Sequence, residues 1–181
     1  MGQIDLQLTG GNRNKNRREL DFYATPSNVT IALMEFFKFK LKSSIIWEPA
    51  CGIGNIQKVL ESYGHTVIGT DILTGVDYLK VPKKEIDAII TNPPFNLSEK
   101  FIEKSLKEAD FVAYLLKSQY WHSKKRYNLF IKNPPSYILP LTWRPDFLNG
   151  ERGGNPTMEI LWTVWIKGNK ESKYIPLLKS N

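Results

Sequence analysis

One cysteine and two histidines in 181 residues leave this chain little metal or redox chemistry. With Cys51 alone, no internal disulfide can form, and His65 and His122 lie too far from it and from each other for metal-ligand spacing. No apolar run is long enough to cross a bilayer, and no internal repeat or low-complexity block occurs. Residues 1–20 are polar and basic, without the apolar stretch of a secretory signal, so the expected setting is the cytoplasm. Acidic residues are in deficit. Eighteen Asp and Glu face 25 Lys and Arg, a net charge of +7. That balance suits a polyanionic partner and argues against an acidic one being repelled.

What is present is a series of short apolar runs divided by turn residues. Strands are expected near 44–48, 65–70, 86–91 and 111–116. Between them helical patterns cover about 55–63 and 98–108, the latter with Ser98 as N-cap. A first helix, about 28–39, starts after Pro26-Ser27, and its stripe of Ile31, Leu33, Met34, Phe36 and Phe37 reads as core. Alternation of this kind implies an α/β fold, a mostly parallel sheet that places ligands at the strand C-terminal ends. Two later strands, near 137–139 and 159–166, complete the sheet as an antiparallel pair, with Trp162 and Trp165 packed in it. The expected division is a basic arm over 1–20, one domain over 21–170 and a solvated tail over 171–181.

The polar residues that matter sit where those strands stop. The first strand ends at Glu48, and Pro49-Ala50-Cys51-Gly52-Ile53-Gly54 follows. Glycines there allow a backbone to approach a ligand closely. The third glycine of a dinucleotide fingerprint and the Gly-Lys-Ser/Thr of a phosphate loop are both missing. Cys51 reads as a small packed residue, with a catalytic thiol as the alternative. The second strand ends at Asp71, placed to accept ribose hydroxyls or else to cap a helix. Asp77 with Tyr78 follows, either a third polar point or a plain turn. The third strand ends at Asn92-Pro93-Pro94-Phe95. Two prolines remove two donors and stiffen the turn, leaving the Asn92 side-chain oxygen and the Pro93 carbonyl as acceptors beside an aromatic ring. A planar amino group on a base would need such a setting.

Cations gather in two places. Residues 11–18 hold Arg13, Lys15, Arg17 and Arg18 in a polar arm, and residues 121–127 mix Lys124, Lys125 and Arg126 with Trp121 and Tyr127. Cations beside aromatics suit phosphates and unstacked bases, although both segments could be solvated surface. The irregular stretch 140–156 supplies Arg144 and Arg152 as further substrate contacts, with an Arg144–Asp146 pair as the alternative.

Taken together, these elements resemble the S-adenosylmethionine-dependent N6-adenine DNA methyltransferases, in particular small phage-type members, over about residues 20–167. The likeness rests on Glu48 to Gly54 as cofactor loop, Asp71-Ile72 as ribose acid and apolar neighbour, and Asp77-Tyr78 as the point that meets the cofactor adenine. Asn92-Pro93-Pro94-Phe95 stands as catalytic motif. Asp21-Phe22-Tyr23-Ala24-Thr25-Pro26 is similar to the element that closes over the methionine end of the cofactor. Arg144-Pro145-Asp146-Phe147 and Trp162-Thr163-Val164-Trp165 are similar to the family's C-terminal half.

The resemblance implies a Rossmann-like methyltransferase fold in a bacterial or phage-infected cell. The cofactor would be S-adenosylmethionine, released as S-adenosylhomocysteine, with no metal, and the substrate DNA, with RNA as a further possibility. Its cofactor contacts would be Phe22, Tyr23, Thr25, Pro26, Glu48, Pro49, Ala50, Cys51, Gly52, Gly54, Asp71, Ile72, Asp77, Tyr78 and Asn92. No stretch after Phe95 is long enough for a separate target-recognition domain, so recognition falls to segments 121–127 and 140–156, a second copy or a partner protein. The same motif also serves transfer to adenine in RNA and to glutamine amides. From another class, a non-catalytic nucleic-acid-binding module is the rival, against which stand intact Glu48, Gly52, Gly54, Asp71 and Asn92.

Overall fold

A computed structural model describes residues 24–38, 41, 43–147, 155–169 and 171–179. The basic arm, Phe22, Tyr23 and Arg152 lie outside the described residues. The elements in chain order are α1 (Ser27–Phe37), β1 (Ile45–Glu48), α2 (Asn55–Ser62), β2 (Thr66–Gly69), β3 (Ala88–Thr91), α3 (Ser98–Glu108) and β4 (Phe111–Lys117). Then come α4 (Tyr127–Lys132), β5 (Tyr137–Pro140), β6 (Ile160–Ile166) and β7 (Lys173–Tyr174). The seven strands form one sheet in the order β2-β1-β3-β4-β6-β5-β7. Strands β2, β1, β3 and β4 are parallel, and β6 runs antiparallel to both β4 and β5. This is a Rossmann-like α/β architecture.

Side chains alternate across a strand, and here both faces are covered, which is why the strands read as unbroken apolar runs. On β4, Ala113 and Leu115 enter one core with α1 and α2, while Val112, Tyr114 and Leu116 enter the other with α3 and α4. On β3, Ile90 goes to the first core and Ile89 to the second. Val29, Leu33 and Phe37 recur at four-residue spacing and bury one stripe of α1. Trp162 locks that helix to the sheet, its Nε1 donating to the Val29 carbonyl at 2.9 Å. The second tryptophan, Trp165, donates to the Asn133 carbonyl at 2.9 Å and packs on the α4 side.

The chain leaves β1 toward β2 on one side and returns to β3 on the other. Strands β1 and β3 therefore pair directly, Trp47 opposite Ile89, at the point where strand order reverses. In open α/β sheets a ligand crevice forms outside the strand ends at that point. The loop after Glu48 and the turn after Thr91 both open there.

Two expectations are corrected. Ser98 is not the cap of α3. Leu97 holds that position without a side-chain cap, and the Ser98 hydroxyl donates instead to the Phe95 carbonyl at 2.9 Å. The proline turn already closes through the Leu97 N–H to the Pro94 carbonyl, at 3.0 Å, so the helix begins inside the turn. Nor is the segment 171–179 only a solvated tail: most of its residues are exposed, as expected, but it also joins the sheet. Lys173–Tyr174 pairs parallel to β5, and Leu177 is buried in the first core and bridges to Leu141. A two-residue strand with exposed side chains carries no periodic signal, so sequence pattern alone missed it. No helix among the described residues is long and apolar enough to cross a membrane.

Leu177→Ala should therefore destabilise the fold by about 2–5 kcal/mol in denaturant unfolding, as a core truncation does. A change within a few tenths would mean that this segment is merely laid on the sheet.

Candidate functional site

A cavity of about 480 Å³ lies at the C-terminal ends of β1 and β3. Its walls come from the segments that follow β1, β2 and β3 and from the residues that lead into α1. Glu48 to Ile53 with Asn55 form one wall; Asp71 to Leu73 and Val76 to Tyr78 form another. Asn92 to Leu97 close the far side, and Ala24 and Thr25 come over the top. Glu48, Pro49, Ala50, Cys51, Gly52, Asp71, Ile72, Asp77, Tyr78 and Asn92 to Phe95 are thus all brought to one place, together with Thr25. Pro26 and Gly54 stand just behind the lining. Pro26 begins α1, its carbonyl accepting from the Val29 N–H, and Gly54 precedes α2 at φ 79°. A side chain at that left-handed position is strained, so glycine is the natural residue there.

Asp71 organises the loop. Its Oδ2 accepts from the Gly52 N–H and its Oδ1 from the Leu73 N–H, both at 2.8 Å. It also occupies the cap position of the short turn Ile72–Thr74. The capping reading is met, and each carboxylate oxygen keeps a second lone pair. Asp77 is more committed. It accepts from the Leu79 N–H at 3.0 Å and pairs with Lys80 at 3.2 Å, which together hold its carboxyl below the usual range. Tyr78 supports the cavity floor. Its hydroxyl donates to Glu108 at 2.9 Å and shares a hydrogen bond with Ser105, and its ring packs edge-on against Trp47.

Glu48 is the unusual group. It is buried, and its Oε2 has no hydrogen-bond partner. Desolvation, with lesser repulsion from Asp71 and Glu61, pushes its carboxyl up to about 9. A buried polar atom without a partner is costly and asks for a reason. The other side of the cavity is ordered through Thr25. Asn92 Nδ2 donates to Thr25 Oγ1 at 3.1 Å, and Asn55 Nδ2 donates to the Thr25 carbonyl at 3.2 Å. The rim is apolar and wet: Ile53 is 62% exposed and Ile72 61%.

Asn55 and Lys117 went unmarked in the sequence reading. Asn55 looks like an ordinary polar residue at a helix start. Lys117, the cation that ends the apolar strand β4, lies 3.8 Å over the Phe95 ring. A charged residue closing such a run was the available signal. Gly69 is a third. A Cβ there would meet Cys51 Cβ and Sγ at 3.3 Å and the Gln57 side chain closer still, so the loop sits tight against β2. Burial, and then the Glu48 carboxyl, raises the Cys51 pKa, which disfavours the thiolate a nucleophile needs. Among the described residues no group of His, Cys, Asp or Glu is set to hold a metal.

The expected substrate cations lie outside the cavity. Arg126 is spent on structure, donating to the Tyr120 carbonyl at 3.0 Å with its guanidinium 3.8 Å over that ring. Trp121, half-buried, stacks on Phe130 with ring centroids 4.1 Å apart. Lys124 is exposed, and Lys125 makes only a long, exposed contact of 3.9 Å to Glu99. Arg144 pairs at 2.7 Å with Glu159, and not with Asp146 as the alternative had it. It lines a separate open groove at the ends of β5 and β6.

No protein-family model matches the chain, and no curated protein matches its sequence. Solved structures do match. One from Listeria monocytogenes, described as a class I S-adenosylmethionine-dependent methyltransferase, is 18% identical with a TM-score of 0.56, over 86% of this chain and 66% of its own. One from Pyrococcus horikoshii, described as an RNA methyltransferase, is 13% identical at 0.60, over 83% and 88%. A type I restriction-enzyme modification subunit from Vibrio vulnificus is 14% identical at 0.60, over 86% and 47%. The chain thus spans just under two thirds of the first and about half of the third. What these likenesses establish is the Rossmann-like fold of class I methyltransferases.

Glu48 binds its proton more tightly folded than unfolded. The stability this proton confers is full below the ordinary carboxylate value of 4.5 and is lost as pH rises toward about 9. Glu48→Gln should therefore melt above the parent at pH 8, and the gap should widen from pH 5 to 9. Parallel melting curves across that range would contradict the environment assigned to this carboxyl.

Proposed function

We propose that this chain transfers a methyl group from S-adenosylmethionine to the N6 amino group of adenine in DNA. The observation that carries the reading is the meeting of two halves in one cavity. The glycine loop with Glu48 and Asp71 forms one side, and Asn92-Pro93-Pro94-Phe95 forms the other.

The residues present fit the cofactor. The unpartnered Glu48 Oε2 suits a cationic amine, and the Asp71 oxygens retain lone pairs for ribose hydroxyls. Exposed Ile53 and Ile72 offer apolar faces for an adenine ring. Asp77 stands nearby with part of its accepting capacity used. When bound, the cofactor supplies a methyl group already activated by its sulfonium.

The remaining difficulty is the nucleophile, because an adenine amino group shares its lone pair with the ring. Asn92 Oδ1 and the Pro93 carbonyl would accept its two protons, favouring a more tetrahedral nitrogen with its lone pair aimed into the cavity. That is orientation and electrostatic preorganisation. The nitrogen would gain the methyl as the S–CH3 bond breaks, with S-adenosylhomocysteine as the leaving group, and would then lose one proton to water. No strong base is required, since the proton turns acidic only on transfer.

A duplex target must leave the stack at a cost of a few kcal/mol. Stacking on Phe95 returns ~1–3 kcal/mol, and each hydrogen bond adds ~0.5–1.5 net. These nearly cancel, so phosphate contacts would supply most of the affinity. Exposed Lys124 and Lys125, and the basic arm, are the candidates; Arg126 and Arg144 are less available.

The test is transfer of labelled methyl to unmethylated duplex DNA, single-stranded DNA, RNA and a protein extract, followed by digestion. N6-methyladenosine in the deoxy series is the expected product. Label in RNA or in protein would keep the chemistry and replace the substrate. No label, and no thermal shift with S-adenosylmethionine, would favour the non-catalytic module. Asn92→Ala should lower transfer by about a hundredfold or more while cofactor binding survives. Asp71→Ala should weaken cofactor affinity by about tenfold or more in calorimetry, since charge-assisted bonds are lost. An unchanged Kd in that variant would remove Asp71 from the cofactor site.

A further inference from the structure

We infer that Thr25, which the resemblance placed among the cofactor contacts, acts instead as a positioning residue for the Asn92 amide; this rests on the proposed methyl transfer. The two residues lie 67 positions apart and meet through Asn92 Nδ2 donating to Thr25 Oγ1 at 3.1 Å. Thr25 is almost fully buried where it lines the cavity, so its hydroxyl is shielded from bulk solvent. A free asparagine amide has two orientations half a turn apart, and only one presents its oxygen to the cavity. The Thr25 hydroxyl, accepting from Nδ2, fits that one and leaves Oδ1 for the cavity. It does more than aim the group. An amide that donates through nitrogen is polarised and becomes a better acceptor at oxygen, as in any hydrogen-bonded chain. The Thr25 hydroxyl thus sets both the direction and the strength of the Asn92 Oδ1 acceptor.

The threonine is itself anchored. Its carbonyl accepts from Asn55 Nδ2 at 3.2 Å, at the first residue of α2, and α1 begins two residues later. Movement of the glycine loop would therefore be felt at the Asn92 amide. Asn55 contributes by holding the backbone that carries the hydroxyl.

The experiment compares Thr25→Val, which keeps shape and removes the acceptor, with Thr25→Ser, which keeps the acceptor. Thr25→Val should lose about tenfold to a hundredfold in kcat, with the cofactor Kd within about twofold, because an orienting hydrogen bond is lost. Thr25→Ser should restore most of the rate. Melting curves of both variants, compared with the parent, separate this from unfolding. The side-chain amide protons of Asn92, followed by nuclear magnetic resonance, report the bond without any turnover. One of them should be protected from exchange in the parent and in Thr25→Ser, and unprotected in Thr25→Val. Parent-like kcat in Thr25→Val, a weakened cofactor Kd with kcat intact, or no protected Asn92 proton in the parent would each overturn the inference. Absence of transfer by the parent on every substrate pool would instead overturn the proposed function, and the amide protons would still decide the bond.

Discussion

Strands β1 and β3 lie side by side and parallel, and the chain leaves them toward opposite edges of the sheet. Everything in the site follows from that pairing. It brings the C-terminal ends of both strands to one end of the sheet, so that Glu48 and Asn92 line one cavity although 44 positions separate them in the chain. Two loops that must diverge leave a crevice, and the crevice is the cavity. A sheet buried on both faces makes the pairing rigid, since a slip of one residue would turn Ile89 and Ile90 into each other's cores. Thr25 then closes the arrangement from above, with one hydrogen bond to each half.

The site carries a cost in stability, and Glu48 is where it shows. A buried carboxyl whose Oε2 lacks a partner is a poor choice for holding a fold together. It is a sound choice for meeting a cationic group, because desolvation strengthens the interaction once the partner arrives. The Tyr78 network shows the contrast. There Ser105, Glu108, Tyr114 and Lys104 satisfy one another under α3, and the polar groups serve structure alone. On the proposed reading, an open carboxyl at the cavity is kept for its ligand, whereas a closed polar network in the core is kept for folding.

Much of the fold was legible because its strands are short, apolar and bounded by turns. Helix α3 falls on the expected residues 98–108, and α2 within one residue of its expected end. The strand-end residues of the cavity were also legible, since each carries a local signal: glycines, an acid after a strand, two prolines. What could not be seen was partnership at long range. Sequence marks Arg126 as a cation beside aromatics but not that its guanidinium lies over Tyr120. It marks Arg144 without showing that Glu159, fifteen residues on, is its partner and not Asp146. Strand β7 failed for a different reason. It is held by the edge of β5 and by Leu177, and a pair of exposed residues has no period to read.

The central claim is that the glycine loop and the Asn92 turn form one working site. A crystal structure grown with S-adenosylhomocysteine tests it most directly. The account expects the ligand between Glu48 and Asn92, with a polar ligand atom against Glu48 Oε2 and the Asn92–Thr25 hydrogen bond intact. A ligand bound elsewhere, or Glu48 Oε2 still without a partner beside an ordered ligand, would contradict it.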